Sequence, residues 1–145
     1  MIELLQNTFY SDIPITQAMK LQVLKYDGMS LTLRAPLPPN RNDKGTAFGG
    51  SLYSTAVLAG WGLIYLMTKE RNLQADIMIH ESHSRFIAPV TSDITATCGF
   101  DSEEQIEKAL KLFHRRGLAR FQLNTRINAG MSDAMTFEGS YAISR

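Results

Sequence analysis

The hydrophobic pattern of the chain is dominated by one stretch, between Lys44 and Lys69, that contains no charged side chain. Its apolar run, from Ala56 to Met67, has no polar face, and such a helix is normally enclosed by protein on every side. A transmembrane helix is the alternative, but crossing a bilayer takes about 20 predominantly apolar residues, and this run is shorter. We therefore predict a long central helix held by a sheet.

The flanking segments alternate in ways typical of short amphipathic helices and of strands paired in hairpins. The predicted elements, in order, are helices at 2–9 and after Pro14, a hairpin around Asp27-Gly28, the central helix, a strand from Asp76 closed by Pro89, a strand at 93–100, a helix at 102–116, and a hairpin at 118–143. This order predicts an α+β fold in which a mostly antiparallel sheet wraps round one helix.

Composition narrows the class of protein. The 145 residues are enough for one domain, spanning 1–145, and 44% hydrophobic with 20% charged residues is ordinary for a soluble globular protein. The net charge of +1, with no basic run longer than Arg115-Arg116, argues against nucleic acid as a partner. A single cysteine, Cys98, and an N-terminus without signal-peptide features predict a cytoplasmic protein, and nothing predicts a metal or other cofactor.

The entrance to the predicted central helix carries the suggestive chemistry. Gly49 and Gly50 would each cost about 1 kcal/mol relative to alanine inside a helix, so we expect them at its first turn. There the N–H groups lack partners and the helix dipole favours an oxyanion or a phosphate. The alternative, that the glycines only let a loop pack closely against the sheet, remains open at this point.

The motif around these glycines resembles a known fold. The pattern N-x-x-G-x-x-x-G-G, formed by Asn42, Gly45, Gly49 and Gly50, precedes the long uncharged helix, and the next strand ends in F-x-x-P at residues 86–89. This combination resembles the hot dog fold of thioesterases. The segments GTAFGGSLYS, SRFIAPVTSDITA and RRG resemble in particular the thioesterase domain that also occurs C-terminal to an acetyltransferase domain in some bacterial proteins.

The resemblance covers nearly the whole chain, roughly Asp12 to Ser144, and it implies a function. Proteins of this fold form homodimers edge to edge through the strand after the central helix, and the dimers often pair again into tetramers. Their active site lies at the dimer seam. An acyl-CoA or acyl carrier protein thioester would place its carbonyl against the backbone N–H of Gly50 or its neighbour, as an oxyanion hole, and water would attack it.

The sequence also departs from the family pattern. Related acyl-CoA thioesterases carry an Asp or Glu about two turns into the helix and usually a histidine before the paired glycines. The corresponding positions here hold Val57 or Leu58, and Phe48. Either the general base comes from elsewhere, or the protein binds acyl thioesters without hydrolysing them well.

Asn42 is the first candidate for a direct role. It stands eight positions before Gly50, the spacing of a matching asparagine in phenylacetyl-CoA thioesterase-like proteins, where it helps to place the thioester or the water. The alternative is a loop asparagine that bonds its own backbone in a turn.

The following strand, IHESHSR, supplies further candidates. Strand alternation in step with Phe86 predicts that His80, Ser82 and Ser84 face the helix, and that His83 faces away with its neighbours. His80 is a plausible base, and a hydrogen-bonded strand histidine is the alternative.

The candidate residues form two groups. They are Asn42, Gly50, His80 and Ser84 for catalysis, and Gly49, Ser51, Tyr53, Ser54, Ser82 and His83 for substrate binding. Ser51 has the simpler alternative role of capping the helix. Arg115 and Arg116 could meet the phosphates of coenzyme A, although a charge feature at a helix C-terminus is the preferred interpretation.

Three functions follow, in order of preference. The first is a thioesterase, and the second is a non-catalytic module that binds acyl thioesters. A hydratase or dehydratase of the same fold comes third, because it needs a histidine and an acid correctly placed in the helix, and this helix has neither.

Overall fold

The computed structural model describes all residues, 1–145, as four helices and six strands. These are α1 (Ile2–Asp12), α2 (Ile15–Ala18), β1 (Gln22–Tyr26), β2 (Ser30–Ala35), α3 (Gly49–Glu70), β3 (Asp76–Phe86), β4 (Ile94–Gly99), α4 (Glu103–Arg116), β5 (Leu118–Ala129) and β6 (Ser132–Ser144), with a 3-10 turn at Pro38–Asn40. The predicted order of elements is confirmed.

The strands form one antiparallel sheet in the order β1-β2-β4-β5-β6-β3. The sheet curves round α3, which contacts β2, β3, β4, β5 and β6, and a single cluster of buried apolar residues fills the space between them. This is the predicted hot dog arrangement of an antiparallel sheet around a long central helix.

The helix α3 is 22 residues long, and by length and composition alone it could cross a membrane. In the fold, however, 61% of its most apolar window is buried against the rest of the protein. Its charge-free composition is therefore explained by enclosure within the sheet, as predicted.

The helix α4 begins and ends as its sequence predicts. The Ser102 hydroxyl accepts a hydrogen bond from the Gln105 N–H at 3.2 Å, and Gly117 closes the helix with a φ of +72°. Arg115 and Arg116 lie in the last turn, where cations complement the helix dipole. This position supports the helix-terminus interpretation of the arginine pair.

The predicted alternation along β3 is wrong at one point. A β-bulge between Ile79 and Glu81 leaves His80 without a partner on β6. The extra residue shifts the phase of the strand, so that Ile79 before the bulge and Ser82 after it both lie on the side of α3. His80 itself is exposed.

The two edges of the sheet differ. At the β1 edge, the Gln6 side chain of α1 accepts a hydrogen bond from the Val23 N–H at 2.8 Å and donates one to the Leu21 carbonyl at 2.8 Å. At the other edge, the 11-residue strand β3 pairs only with β6. The outward-facing backbone of β3 is therefore the bare edge of the sheet.

Candidate functional site

The first turn of α3 presents unpaired backbone amides. Phe48 is the N-cap residue, and the first helical hydrogen bond runs from the Leu52 N–H to the Phe48 carbonyl at 3.0 Å. The N–H groups of Gly49, Gly50 and Ser51 make no backbone or side-chain hydrogen bond. These three donors, at the positive end of the helix dipole, are a site for an oxyanion.

The capping interpretation of Ser51 is wrong, because no side chain caps α3 and Ser51 is already its third residue. Instead, the Ser51 carbonyl accepts a hydrogen bond from the Thr55 hydroxyl at 2.7 Å. The Ser51 side chain is half-buried and free to face a ligand.

Two aromatic rings flank the paired glycines, and each glycine has a different neighbour. A Cβ at Gly50 would lie 2.9 Å from Cζ of Phe48, so that a side chain at this position would overlap the Phe48 ring. A Cβ at Gly49 would lie 3.8 Å from the Phe86 ring, an ordinary contact. The Phe48 and Phe86 side chains are 55% and 57% exposed, so both rings stand at the surface beside the bare amides. The close contact at Gly50 is therefore with a residue of the loop itself and not with the sheet, and the contact of Gly49 with the β3 ring is not a close one.

A cleft of about 320 Å³ adjoins this turn. It is lined by Asn42, Thr46, Ala47, Gly49, Leu52 and residues 86–89. A larger concavity, about 830 Å³, lies along α4, but one helix lines it, with a single hydrophobic residue. Since no second element encloses that surface, the cleft at Gly49 is the better candidate for a ligand site.

Asn42 borders the cleft, but its side chain is engaged by its own loop. Its Oδ1 accepts hydrogen bonds from the N–H groups of Lys44 and Thr46 at 2.9 and 3.1 Å. Its Nδ2 donates to the Thr46 hydroxyl at 2.9 Å. These bonds form the turn that we gave as the alternative role of Asn42. The residue therefore shapes the loop beside the site.

A row of hydroxyl groups continues from the amides between α3 and β3. The Tyr53 and Ser82 hydroxyl oxygens lie 2.7 Å apart. The Ser84 Oγ is buried and has no hydrogen-bond partner, which is uncommon for a buried polar atom. Ser54, one turn along from Gly50 and on the same face of α3, is half-buried beside this row. These hydroxyls can hold a water molecule or a polar part of a substrate.

The two strand histidines lie apart from this row. His83 faces the outer side of the sheet, opposite Glu138 of β6, where it borders a separate shallow concavity with Glu81 and Gln122. His80 stands exposed at the bulge. Neither imidazole contacts the paired glycines within one chain, so the structure brings together the amides and hydroxyls but not the histidines.

The position expected for a helix carboxylate is apolar in the structure as well. Val57 is half-buried there, and its carbonyl accepts a hydrogen bond from the Tyr141 hydroxyl at 2.8 Å. Burial raises the pKa of Tyr141 far above its ordinary range, so this phenol stays a neutral donor. No ionised group on α3 faces the amides.

The loop that leads into α3 depends on a residue that the sequence did not single out. Asn40 is 2% exposed, and its Nδ2 donates to the carbonyls of Met19 and Pro36 at 2.9 and 2.8 Å. The only hint in the sequence is its place directly after Pro38-Pro39, which marks a fixed turn. Its burial depends on a carbonyl that lies 21 positions away in the chain.

Comparison with known proteins agrees with this architecture. A family model described as "Putative thioesterase (yiiD_Cterm)" matches residues 2–145. A protein of unknown function from Chlorobaculum tepidum TLS is 39% identical over 99% of this chain and 93% of its own, with a TM-score of 0.94. A Shewanella oneidensis protein named "putative thioesterase" is 30% identical over 99% of this chain and 96% of its own, with a TM-score of 0.88. A Pseudomonas aeruginosa protein of unknown function, called a "probable thioesterase", shares the fold at 22% identity, over 98% of this chain and 94% of its own, with a TM-score of 0.84.

Proposed function

Because the chain belongs to the family described as "Putative thioesterase (yiiD_Cterm)", we propose that it hydrolyses the thioester of an acyl-CoA or acyl carrier protein at the N-terminus of α3. The observation that carries this proposal is the set of unbonded amides at Gly49, Gly50 and Ser51, which lie beside an open cleft. The thioester carbonyl would accept their hydrogen bonds, as the family resemblance implies for Gly50. One such donor commonly contributes about 3 kcal/mol to the transition state of acyl transfer.

The hydroxyl row would hold the attacking water. The unpartnered Ser84 Oγ, which is closed to solvent in the free chain, would gain a partner if substrate binding let this water in beside it. The water oxygen attacks the carbonyl carbon, the C–S bond breaks, and the products are a carboxylic acid and a free thiol. Tyr53 and Ser82, already hydrogen-bonded to each other, would orient the substrate beside it.

For the proton acceptor we propose His80 of a partner subunit. The bulge exposes His80 on the bare edge of the sheet, and bulges commonly re-aim a side chain next to an active site. If two copies pair through β3, the imidazole of each copy lies on the seam between them. Met78 and Ile87, exposed at this edge, would become buried in the same contact. A homodimer formed through β3 is therefore part of the proposal, and a tetramer would pair two such dimers.

The missing helix carboxylate supports a second candidate function. A positioned general base commonly contributes about 10²- to 10⁴-fold to the rate, and Val57 cannot supply one. A protein that binds acyl thioesters without hydrolysing them would need the amides but not a general base, so valine in place of the carboxylate would cost it little affinity. Slow turnover is accordingly expected even if the hydrolase proposal is right.

A panel of acyl-CoAs and acyl carrier proteins, with thiol release and binding both measured, separates these functions. We expect thiol release by the wild type and at least about a tenfold lower kcat for Ser84→Ala and for His80→Gln. The fold of Ser84→Ala should be unharmed, since the hydroxyl that it removes bonds nothing. Ser140→Ala, a serine on β6 that faces Glu81 across the strands, is the matched control and should keep full activity.

Each outcome decides one part. Binding without thiol release from any substrate rejects the hydrolase in favour of the binding module. Full activity in Ser84→Ala rejects the water site, and a monomer by light scattering rejects the seam. If the protein neither binds nor hydrolyses any of these thioesters, the acyl-thioester proposal as a whole is rejected.

A further inference from the structure

Resting on the proposed function, we infer that Asn40, and not Asn42, is the residue that positions the catalytic amides of α3. Asn40 does not line the cleft in which we place the substrate. It acts through Phe48, the residue from which α3 begins.

The link from Asn40 to the helix is a short main-chain hydrogen bond. The Phe48 N–H donates to the Asn40 carbonyl at 2.7 Å, and Phe48 in turn accepts the first helical bond from Leu52. Phe48 is thereby fixed on both sides, and the next three amides are left pointing away from any partner. A movement of the Asn40 carbonyl would therefore be transmitted to the start of the helix, which a bond from the Ala47 N–H to the Val90 carbonyl at 2.8 Å also helps to hold.

The side chain of Asn40 fixes that carbonyl in space. Its two N–H bonds are both used, one on Pro36 in the same loop and one on Met19 before β1. The second bond joins the loop to a different part of the fold. A buried amide with both donors satisfied has a single favourable orientation, which makes it a rigid anchor.

Asn42 lacks this connection. All of its side-chain hydrogen bonds go to Lys44, Thr46 and Ala47, within five residues. It can shape the loop but cannot hold the loop against the rest of the protein. The two asparagines, two positions apart, therefore separate into an anchor and a turn former.

The consequence for catalysis is large relative to the size of the change. A displacement of about 1 Å at a reacting group can cost about 100-fold in rate, and loss of one oxyanion donor costs about 10²- to 10³-fold. Asn40→Asp keeps the shape but removes both donors and sets a carboxyl group against two carbonyl oxygens. Asn40→Ala removes the same donors without adding charge, and serves if Asn40→Asp does not fold.

The test combines kinetics with NMR of the helix start. In Asn40→Asp and Asn40→Ala we expect kcat to fall about 10- to 100-fold with little change in KM. The amide ¹H–¹⁵N shifts of Gly49, Gly50 and Ser51 should change in the same variants. These shifts are read without substrate, so they report on positioning independently of turnover.

Thr16→Val is the matched control. Thr16 is fully buried, and its single hydroxyl proton is shared between two carbonyls, those of Phe9 and Ile13 at 2.7 and 2.8 Å. Its loss should lower the melting temperature about as much as Asn40→Ala, yet leave kcat and the glycine shifts as in the wild type.

The inference is overturned if the Asn40 variants and Thr16→Val lose equal stability and all retain wild-type kcat and glycine shifts. Unchanged glycine shifts in the Asn40 variants overturn it even if kcat falls. If the wild type hydrolyses no thioester, the proposed function fails, and altered glycine shifts in the Asn40 variants alone still establish the positioning role.

Discussion

The two halves of α3 are equally free of charge from Gly49 to Thr68, before Lys69 and Glu70 close the helix, but they have opposite environments. In the C-terminal half, the buried end of this charge-free stretch, Trp61 stacks on Tyr65 with ring centroids 5.1 Å apart and donates a hydrogen bond to the Ile77 carbonyl at 3.2 Å. At the N-terminal end, Phe48 stands mostly in solvent and the amides beyond it are bare. Absence of charge serves burial at one end and leaves the helix dipole unneutralised at the other.

Glycines at each end show the contrast most directly. A Cβ at Gly60 would lie 2.7 Å from Cε2 of Tyr141, a fully buried ring, just as a Cβ at Gly50 would overlap the exposed ring of Phe48. The overlaps are alike, but only the exposed ring can swing away. Substitutions at the two positions should therefore damage different properties, stability at one and activity at the other.

The largest effect is expected for Gly60→Ala. Alanine gains about 1 kcal/mol of helix propensity, but overpacking a core costs about 1–3 kcal/mol and displacing the Tyr141 ring adds the loss of its hydrogen bond to Val57. We expect a net loss of about 2 kcal/mol in the free energy of unfolding, measured by chemical denaturation. Equal or greater stability than the wild type would show that the buried end of the helix is loosely packed.

Gly50→Ala should show the reverse. The Phe48 ring can rotate into solvent, so the free energy of unfolding should change by less than about 1 kcal/mol. On that solvent side the ring stands in the approach to the bare amides, and with the added methyl it hinders a substrate, so we expect about a tenfold fall in kcat/KM. The double variant Phe48→Ala/Gly50→Ala relieves the overlap and should recover part of this loss. A drop in stability as large as that of Gly60→Ala would contradict the contrast between the two ends.

The sequence was sufficient to predict the elements and the place of the glycines, because these depend on local pattern and propensity. It could not show which ring each glycine meets, since Gly60 and Tyr141 are joined only by the fold. The bulge at His80 was missed for a related reason. Alternation is regular on both sides of His80, and only the pairing with β6 reveals the extra residue.

The different roles of the two loop asparagines also depend on the fold and not on the local sequence. Asn40 and Asn42 carry identical chemistry beside prolines and glycines, so local pattern cannot rank them. The difference arises from the Met19 carbonyl, which the fold brings to Asn40 and not to Asn42. Burial of a polar group against a distant backbone is a tertiary property.

Tyr141→Phe tests the buried end without changing its packing volume. The substitution removes the hydrogen bond from the Tyr141 hydroxyl to the Val57 carbonyl at 2.8 Å. We expect the free energy of unfolding to fall by about 1 kcal/mol, with kcat unchanged. Tyr26→Phe, which removes a more exposed bond to Glu70 at 2.9 Å, is the comparison and should cost less. A lower kcat in Tyr141→Phe without any loss of stability would contradict this expectation, because it would show that the buried end of the helix controls the open end.

The smallest effect is expected at Asp93, which fixes the beginning of the loop that leads to the open end. Its Oδ1 accepts a hydrogen bond from the Leu37 N–H at 2.9 Å, and its other oxygen binds Arg34. The Leu37 N–H first, and then Arg34, hold the pKa of this carboxyl below its ordinary value of 3.8. A carboxyl whose pKa is lower in the folded chain than in the unfolded one stabilises the fold above the unfolded pKa, and loses that contribution as pH falls through the folded pKa.

The wild type should therefore lose stability below about pH 4 more steeply than Asp93→Asn, whose side chain does not titrate. At neutral pH the variant loses the ion pair with Arg34, whereas its amide oxygen can still accept from Leu37, so the difference there should be slight. Asp27→Asn is the matched control, because the N–H groups of Met29 and Ser30 lower the pKa of Asp27 in the same way at the β1–β2 turn. Both variants should flatten the acid dependence, but only Asp93→Asn should also lower kcat slightly, because its neutral amide oxygen holds the Leu37 N–H at the start of the loop less strongly than the carboxylate does. Equal kcat in the two variants would mean that Asp93 does not help to hold the open end of α3.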